Sequence, residues 1–391
     1  QVLAVGWDPV LPSQYGLNLL GQYRRQKTFG AEGQVQPYLN GQLLGHIEPY
    51  AGFRIEGGYS TQTSRELRRE FVYLPVPLGQ GTHTWQDANN DGQQTLDEFV
   101  EAIYFNEKQY ARFFVPTTDY IPAQGQQGNV MIALAAPNSW REGGWGQRLV
   151  SKVSFHGRWE FRNKSDLMTL AVPLSKTVQQ RYTLYVNRGG VLWGLEGGYV
   201  SHQSLQQLSQ GPESFDNSHY YAEGRWNLSA KNALVLRYEN GLRTRSADFW
   251  EGQSWELAHH ILKPEWRWVI SQHWRLVGNY RWQKSQESKV PSHYADLHEL
   301  QAQIQWQPGA VAQSLCGQVS YVALNYSGND ARSPIAYRML EGLQPGNNWR
   351  VNVDWTHSLP SGLQLTLFYD GRKVSEVGWV HAGNAQIAWV F

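Results

Sequence analysis

Cysteine, methionine and long apolar runs are what this sequence has least of, and each scarcity excludes something. The chain of 391 residues holds one cysteine, Cys316, so neither an internal disulfide nor a cysteine-rich metal cluster can form. Nowhere do about 18 apolar residues run together, so no transmembrane helix is available. Charge is sparse too: 17% of residues are charged, and 34 Lys+Arg nearly cancel 33 Asp+Glu. With a net charge of +1 and no basic block, nucleic acid is not an expected partner. No secretory leader is visible, and Gln1 is read either as the residue left by cleavage or as the start of an excerpt.

Aromatic residues are what is plentiful: 18 Trp, 21 Tyr and 13 Phe, dispersed singly instead of gathered in helical stripes. From about residue 147 the chain alternates apolar and polar positions almost continuously. Tyr220, Ala222, Gly224 and Trp226 interleave with Tyr221, Glu223 and Arg225, and Trp274, Leu276, Gly278, Tyr280 and Trp282 follow the same rule. The runs reach about ten residues, the length that crosses a bilayer when tilted, with Trp and Tyr near their ends. Their second face carries Arg, Glu and Gln, which a water-soluble sandwich could not bury at that density.

The expected fold is therefore all-β: a transmembrane antiparallel β-barrel of about 14 strands, or twelve, over residues 146–391. Ile387, Trp389 and Phe391 alternate to a terminal aromatic, similar to the strand signal read by the barrel-assembly machinery of Gram-negative outer membranes. Residues 1–145 are interrupted by Pro37, Pro49, Pro75 and Pro77 and are expected to form a β-rich domain outside the barrel. The alternative is that two to four of these early runs join the wall.

Residues 87–98 carry the clearest chemistry. Asp87, Asn89, Asp91, Thr95 and Glu98 fall at the oxygen-ligand positions of an EF-hand-like calcium loop, with Gly92 at its turn and Gln93 offering a carbonyl. Six or seven oxygens are what a hard cation such as Ca2+ requires. Gln94 stands where paired EF-hands place an aliphatic residue, and no second loop exists, so a solitary structural site is expected. Leu96, Phe99 and Ile103 have helical spacing and suggest an exiting helix. Catalytic constellations are scarce. His202 and Ser204 share a strand face, yet alternation puts them toward the lumen, and an acid such as Asp216 would still be needed. No enzyme is expected.

Inward-facing charge forms a second group. Arg148, Arg158, Glu160, Glu223, Arg225 and Arg237 are expected to point into the lumen. So are Glu239, Arg275, Arg281, Arg350 and Asp354. Near balance of sign favours a cross-linked lattice over a wet, anion-attracting pore.

Two stretches carry a family resemblance. Gly79-Gln80-Gly81-Thr82-His83-Thr84-Trp85 leads into the acidic loop and on to Tyr110-Ala111-Arg112, and Tyr337-Arg338-Met339-Leu340-Glu341-Gly342 precedes Gly371-Arg372-Lys373. Together they resemble the C-terminal barrel portion of a family of very large, largely uncharacterised outer-membrane proteins of Bacteroidota type. The resemblance implies location in the outer membrane and a C-terminal barrel, and no activity. The expected role is an anchoring or scaffold subunit of a secretion, uptake or barrel-assembly machine, in contact with outer-membrane lipid and other outer-membrane or surface subunits. A passive, substrate-selective porin is the alternative.

Overall fold

The protein is described here from a computed structural model, covering residues 2–9, 11–27, 35–87, 91–167, 173–247, 254–309, 313–328, 333–359, 362–375 and 378–389. Asn89 and Phe391, expected as a ligand and as the terminal signal residue, lie outside the described residues.

The chain is all-β. The first wall strands are β1 (Val2–Trp7), β2 (Tyr15–Lys27), β3 (Val35–Tyr50) and β4 (Phe53–Pro75). A short hairpin, β5 (His83–Trp85) and β6 (Phe99–Glu101), then interrupts the wall. It resumes with β7 (Tyr110–Ala135), β8 (Val153–Asp166), β9 (Pro173–Val186), β10 (Trp193–Gln207), β11 (Pro212–Asn227) and β12 (Asn232–Ser246). The remainder are β13 (Trp255–Val269), β14 (Trp274–Glu287), β15 (Tyr294–Trp306), β16 (Gln313–Ser327), β17 (Gly346–Ser358), β18 (Leu363–Val374) and β19 (Gly378–Trp389). Two short helices, α1 (Trp145–Val150) and α2 (Pro334–Met339), sit in connections.

Seventeen of the described strands form one antiparallel up-and-down sheet, each paired with the next, with β4 passing directly to β7. No pairing joins β1 to β19 among the described residues, so the sheet is open there. The expected boundary near residue 145 does not exist, because β7 pairs with β8 from Ala123↔Asp166 to Ala135↔Ser154. Beyond it lie twelve described strands, and five earlier ones belong to the same wall, in place of the fourteen expected. The prolines misled: Pro49 falls at a register shift between Ile47 and Tyr50, where a missing N–H costs no ladder bond, and Pro37 sits within the ladder opposite Arg25.

The two faces of the sheet are inverted relative to a water-soluble protein. Large apolar side chains are exposed on one face, among them Leu3, Leu236, Leu300 and Ile387, the last at 69%. Buried on the other are Asn279, Glu299, Ser320, Asn348 and Arg372, with Glu299 at 5%. Leaving one such apolar side chain in water instead of an apolar medium costs about 1.5–3 kcal/mol, so the repeated pattern is stable only against hydrocarbon. Register aligns aromatic rows on the apolar face. Trp193 opposes Trp226, Trp274 opposes Trp306, and Leu363 opposes Trp389 at one end. Tyr199 with Tyr220, and Tyr321 with Trp349, make a second row, about 20 Å along the strands at about 3.3 Å per residue.

Val319 lies between these rows on β16, exposed. Val319→Arg is expected to cost about 2–4 kcal/mol in lipid-refolded protein, measured by urea titration in bilayers. A change within about 0.5 kcal/mol, as on a water-exposed face, would show that this face does not meet lipid.

Candidate functional site

The end of the curved wall beyond β4 and β7 is filled by the chain itself. Beyond the irregularity at Leu67/Arg69, β4 and β7 continue as an arm, Arg69–Pro75 against Tyr110–Pro116. A bulge bends a strand, and this arm crosses the mouth to β11, where Arg112 Nη2 donates to Glu213 Oε2 at 2.9 Å. Arg245 on β12 holds the other Glu213 oxygen at 2.8 Å. The arm carries the insert 76–109, and the β16–β17 connection sends down α2. Ser333 caps α2 by accepting the Ala336 N–H at 3.3 Å, with Pro334 in the first turn.

Apolar packing seats this plug. The inward positions of β13, β15 and β16 change from polar, at His259, Glu299 and Ser320, to Leu257, Leu297 and Val322 nearer the mouth, all buried. Tyr104 of the insert and Met339, Leu340 and Leu343 of the α2 segment pack against them in one cluster. Gly342 closes α2 at φ 69°, and a Cβ there would meet the Tyr104 ring at 2.9 Å, so only glycine fits.

Ion pairs then fix the plug to the wall. Arg281 on β14 grips Glu341 through two bonds of 2.7 Å and donates Nε to Glu299 at 2.9 Å. Arg350 on β17 also binds Glu299. Glu341 adopts φ 52°, a left-handed conformation unusual for a non-glycine residue, and this turn aims its carboxylate at Arg281. Burial pushes the Glu341 carboxyl up, but the Arg281 hydrogen bonds and charge outweigh it and hold it below the usual range. On the insert, Glu107 accepts from Tyr337 Oη at 2.6 Å and binds Arg372 of β18. Arg338 and Glu101 join α2 to β6.

A cavity of about 590 Å³ remains between arm, plug and wall. Arg112, Arg245, Arg338, Glu101 and Glu213 line it, together with His83, His202 and Ser204. Burial lowers His83 to about 4 despite the opposing pull of Glu101, with Arg112 and Arg245 adding to the depression. The imidazole is thus neutral at pH 7.

The inward charges occupy several settings. Glu223, Arg237 and Glu239 form a chain, with Arg237 Nη1 3.1 Å from Glu223. Arg158 pairs with Glu160. Arg225 donates to the Gly190 carbonyl at 3.1 Å and to that of Arg188, not to a carboxylate. Arg148 lies on α1 and donates to the Gly143 carbonyl, because the expected strand there is a helical connection. Arg275 and Asp354 are exposed. His202 and Ser204 reach the cavity, but Ser204 opposes Phe215 and His202 opposes Asn217. Asp216 opposes Gln203, which puts it on the other face, so the Ser–His–acid arrangement is not assembled. Ile387 and Trp389 are exposed on the apolar face.

The acidic loop connects β5 to β6. Asp87, Asp91 and Glu98 come together, and Gln93 and Thr95, expected to complete the set, are exposed on the same loop. No EF-hand follows. Leu96–Glu98 is a single 3-10 turn leading into β6, since Phe99 pairs opposite Trp85 and is buried with Val100, which takes the chain extended instead of helical.

No protein-family model and no curated protein matches the chain. Among solved structures it is similar to the ferric-catecholate import receptor Fiu of E. coli K12 in its closed form. Identity is 9% and the TM-score 0.44, over 100% of this chain and 65% of that one. The ferric yersiniabactin uptake receptor FyuA of Yersinia pestis follows at 8% and 0.39, covering 99% and 70%. A Pseudomonas aeruginosa FadL homologue gives 11% and 0.34, covering 86% and 88%. The chain thus spans 65% of the length of Fiu. Likeness this distant carries no functional argument, and function is argued from the geometry.

Sequence reasoning missed the plug. Glu341, Glu107 and Arg372 were not singled out, because no local pattern distinguishes a carboxylate that meets a guanidinium 60 or 265 positions away. Arg281→Met is expected to cost about 3 kcal/mol or more by stranding Glu341, seen as faster hydrogen exchange in residues 334–345. Arg281→Met/Glu341→Leu should recover most of it. A second expectation concerns pH. His83 has its folded pKa below its unfolded value, so its contribution is whole above about 6.5 and is lost as pH falls toward about 4. Exchange of residues 76–109 should accelerate across that window, and His83→Gln should remove the step.

Proposed function

We propose that the chain forms the wall of an outer-membrane β-barrel in a Gram-negative bacterium and acts, without catalysis, as an anchoring or scaffold subunit of a larger outer-membrane assembly. The observation that carries this reading is the combination of an apolar, aromatic-banded outer face with a lumen obstructed by the chain's own insert and α2. A lipid-facing sheet places the protein in a bilayer that is crossed by strands, and the short turns and aromatic rows fit the outer membrane. A mouth sealed by apolar packing and the Arg281–Glu341 and Arg372–Glu107 pairs suits a structural member better than a conduit. The second reading is a passive porin, favoured by the cavity of about 590 Å³ beside the plug.

Planar-bilayer recording separates the two. The native protein is expected to stay silent, and Arg281→Gln/Arg372→Gln to show intermittent conductance as the plug loosens. Steady conductance by the native protein would replace the scaffold reading with the porin. A stoichiometric partner recovered in mild detergent would identify the assembly.

A further inference from the structure

Glu98 is 3% exposed, yet its Oε1 has no hydrogen-bond partner. Its Oε2 is held, accepting Trp85 Nε1–H at 2.8 Å and the Thr95 N–H at 3.4 Å. A buried carboxylate oxygen left bare forfeits its hydration with no return, and one to three kcal/mol is the usual order of that loss. Carboxylate oxygens of Asp87, Asp91 and Glu98 lie within 4.8 Å of one another, so three acidic groups converge on one point. Convergence of like charge without a counter-ion adds repulsion to the desolvation.

The backbone holds this arrangement in place. Asp87 accepts the Asp91 N–H at 3.1 Å on Oδ1 and the Gly92 N–H at 3.0 Å on Oδ2. Asp91 accepts the Gln93 N–H at 2.7 Å. Gly92, directly after Asp91, takes φ 71°, the left-handed conformation that favours glycine, as the chain turns on toward Glu98. These bonds orient the carboxylates and leave further oxygen lone pairs, since each ionised carboxylate has about four acceptor sites.

We infer that Asp87, Asp91 and Glu98 bind a hard divalent cation of the size of calcium, which ties the acidic loop to the β5–β6 hairpin of the plug. The donors are all oxygen, which excludes a preference for soft or borderline metals. Oxygens within 4.8 Å of one another can share an ion about 2.3–2.6 Å from each, and the flexible coordination of Ca2+ suits a loop site better than the near-ideal octahedron at about 2.0–2.1 Å that Mg2+ demands. The site's place in the fold gives it consequence. Glu98 leads directly into β6, whose Phe99 and Val100 are buried and whose Glu101 pairs with Arg338 of α2. A cation there therefore braces the insert from the end opposite Glu107 and Arg372.

Trp85 makes the test specific, because its indole donates to the same carboxylate and can sensitise terbium emission. Full-length protein refolded in detergent without calcium is titrated with Tb3+ under tryptophan excitation. The expected result is saturable emission, displaced by Ca2+ at a concentration at least about tenfold lower than by Mg2+. Glu98→Gln keeps the shape of the side chain and should weaken Tb3+ binding at least about tenfold. Asp91→Asn, at an exposed position where folding is not at stake, should do the same. Absence of saturable emission from the native protein, unchanged emission in both variants, or equal displacement by Ca2+ and Mg2+ would overturn the assignment. None of these outcomes depends on whether the lumen conducts.

Discussion

Strand pairing with one polar and one apolar face governs everything else in this molecule. Because successive side chains alternate, each wall strand commits its apolar set outward and its polar set inward, and register forbids slippage of a single residue. The outward set needs an apolar medium. The inward set needs partners, and the interior supplies them as ion pairs, hydroxyls and amides instead of a hydrophobic core. Glu299 illustrates the economy: nearly sealed from solvent, it receives Arg281 from the adjacent β14 and Arg350 from β17, two strands away.

A polar interior of this kind cannot by itself seat a plug. The wall solves this locally by changing its inward residues from polar to apolar near one mouth, at Leu257, Leu297 and Val322. Among the described residues a hydrophobic core cluster forms there, with Tyr104, Leu340 and Leu343 delivered from two distant segments. Ion pairs add direction to that packing. Apolar contact would tolerate rotation of α2, whereas the two-pronged grip of Arg281 on Glu341 does not. The unusual backbone of Glu341 is retained because that grip and the close approach of Tyr104 to Gly342 both require it.

The insert is thus held at two places by different physics: apolar burial at Tyr104 and ion pairing at Glu107. Both attachments lie in the insert and the inner face, not on the exposed apolar face of the wall, so the plug can change its stability while the sheet keeps its register.

Period-two alternation, strand length and the placement of tryptophan were enough to determine an all-β chain with a lipid-suited face, because each depends only on neighbours in sequence. The acidic spacing of residues 87–98 was equally local, and it brought forward the three carboxylates that the fold does unite. The same local reading gave a false domain boundary, since prolines mark interruptions without telling whether the strand resumes beyond a bulge, as it does around Pro49. It also turned Arg148 into a strand residue and Leu96–Tyr104 into a helix. Only the tertiary structure decided that the first strands belong to the wall, and that the insert and α2 fill the mouth. Glu341 meets Arg281 and Glu107 meets Arg372 there for the same reason: the contacts join positions 60 and 265 residues apart, and no periodicity encodes which distant charge a buried carboxylate will meet.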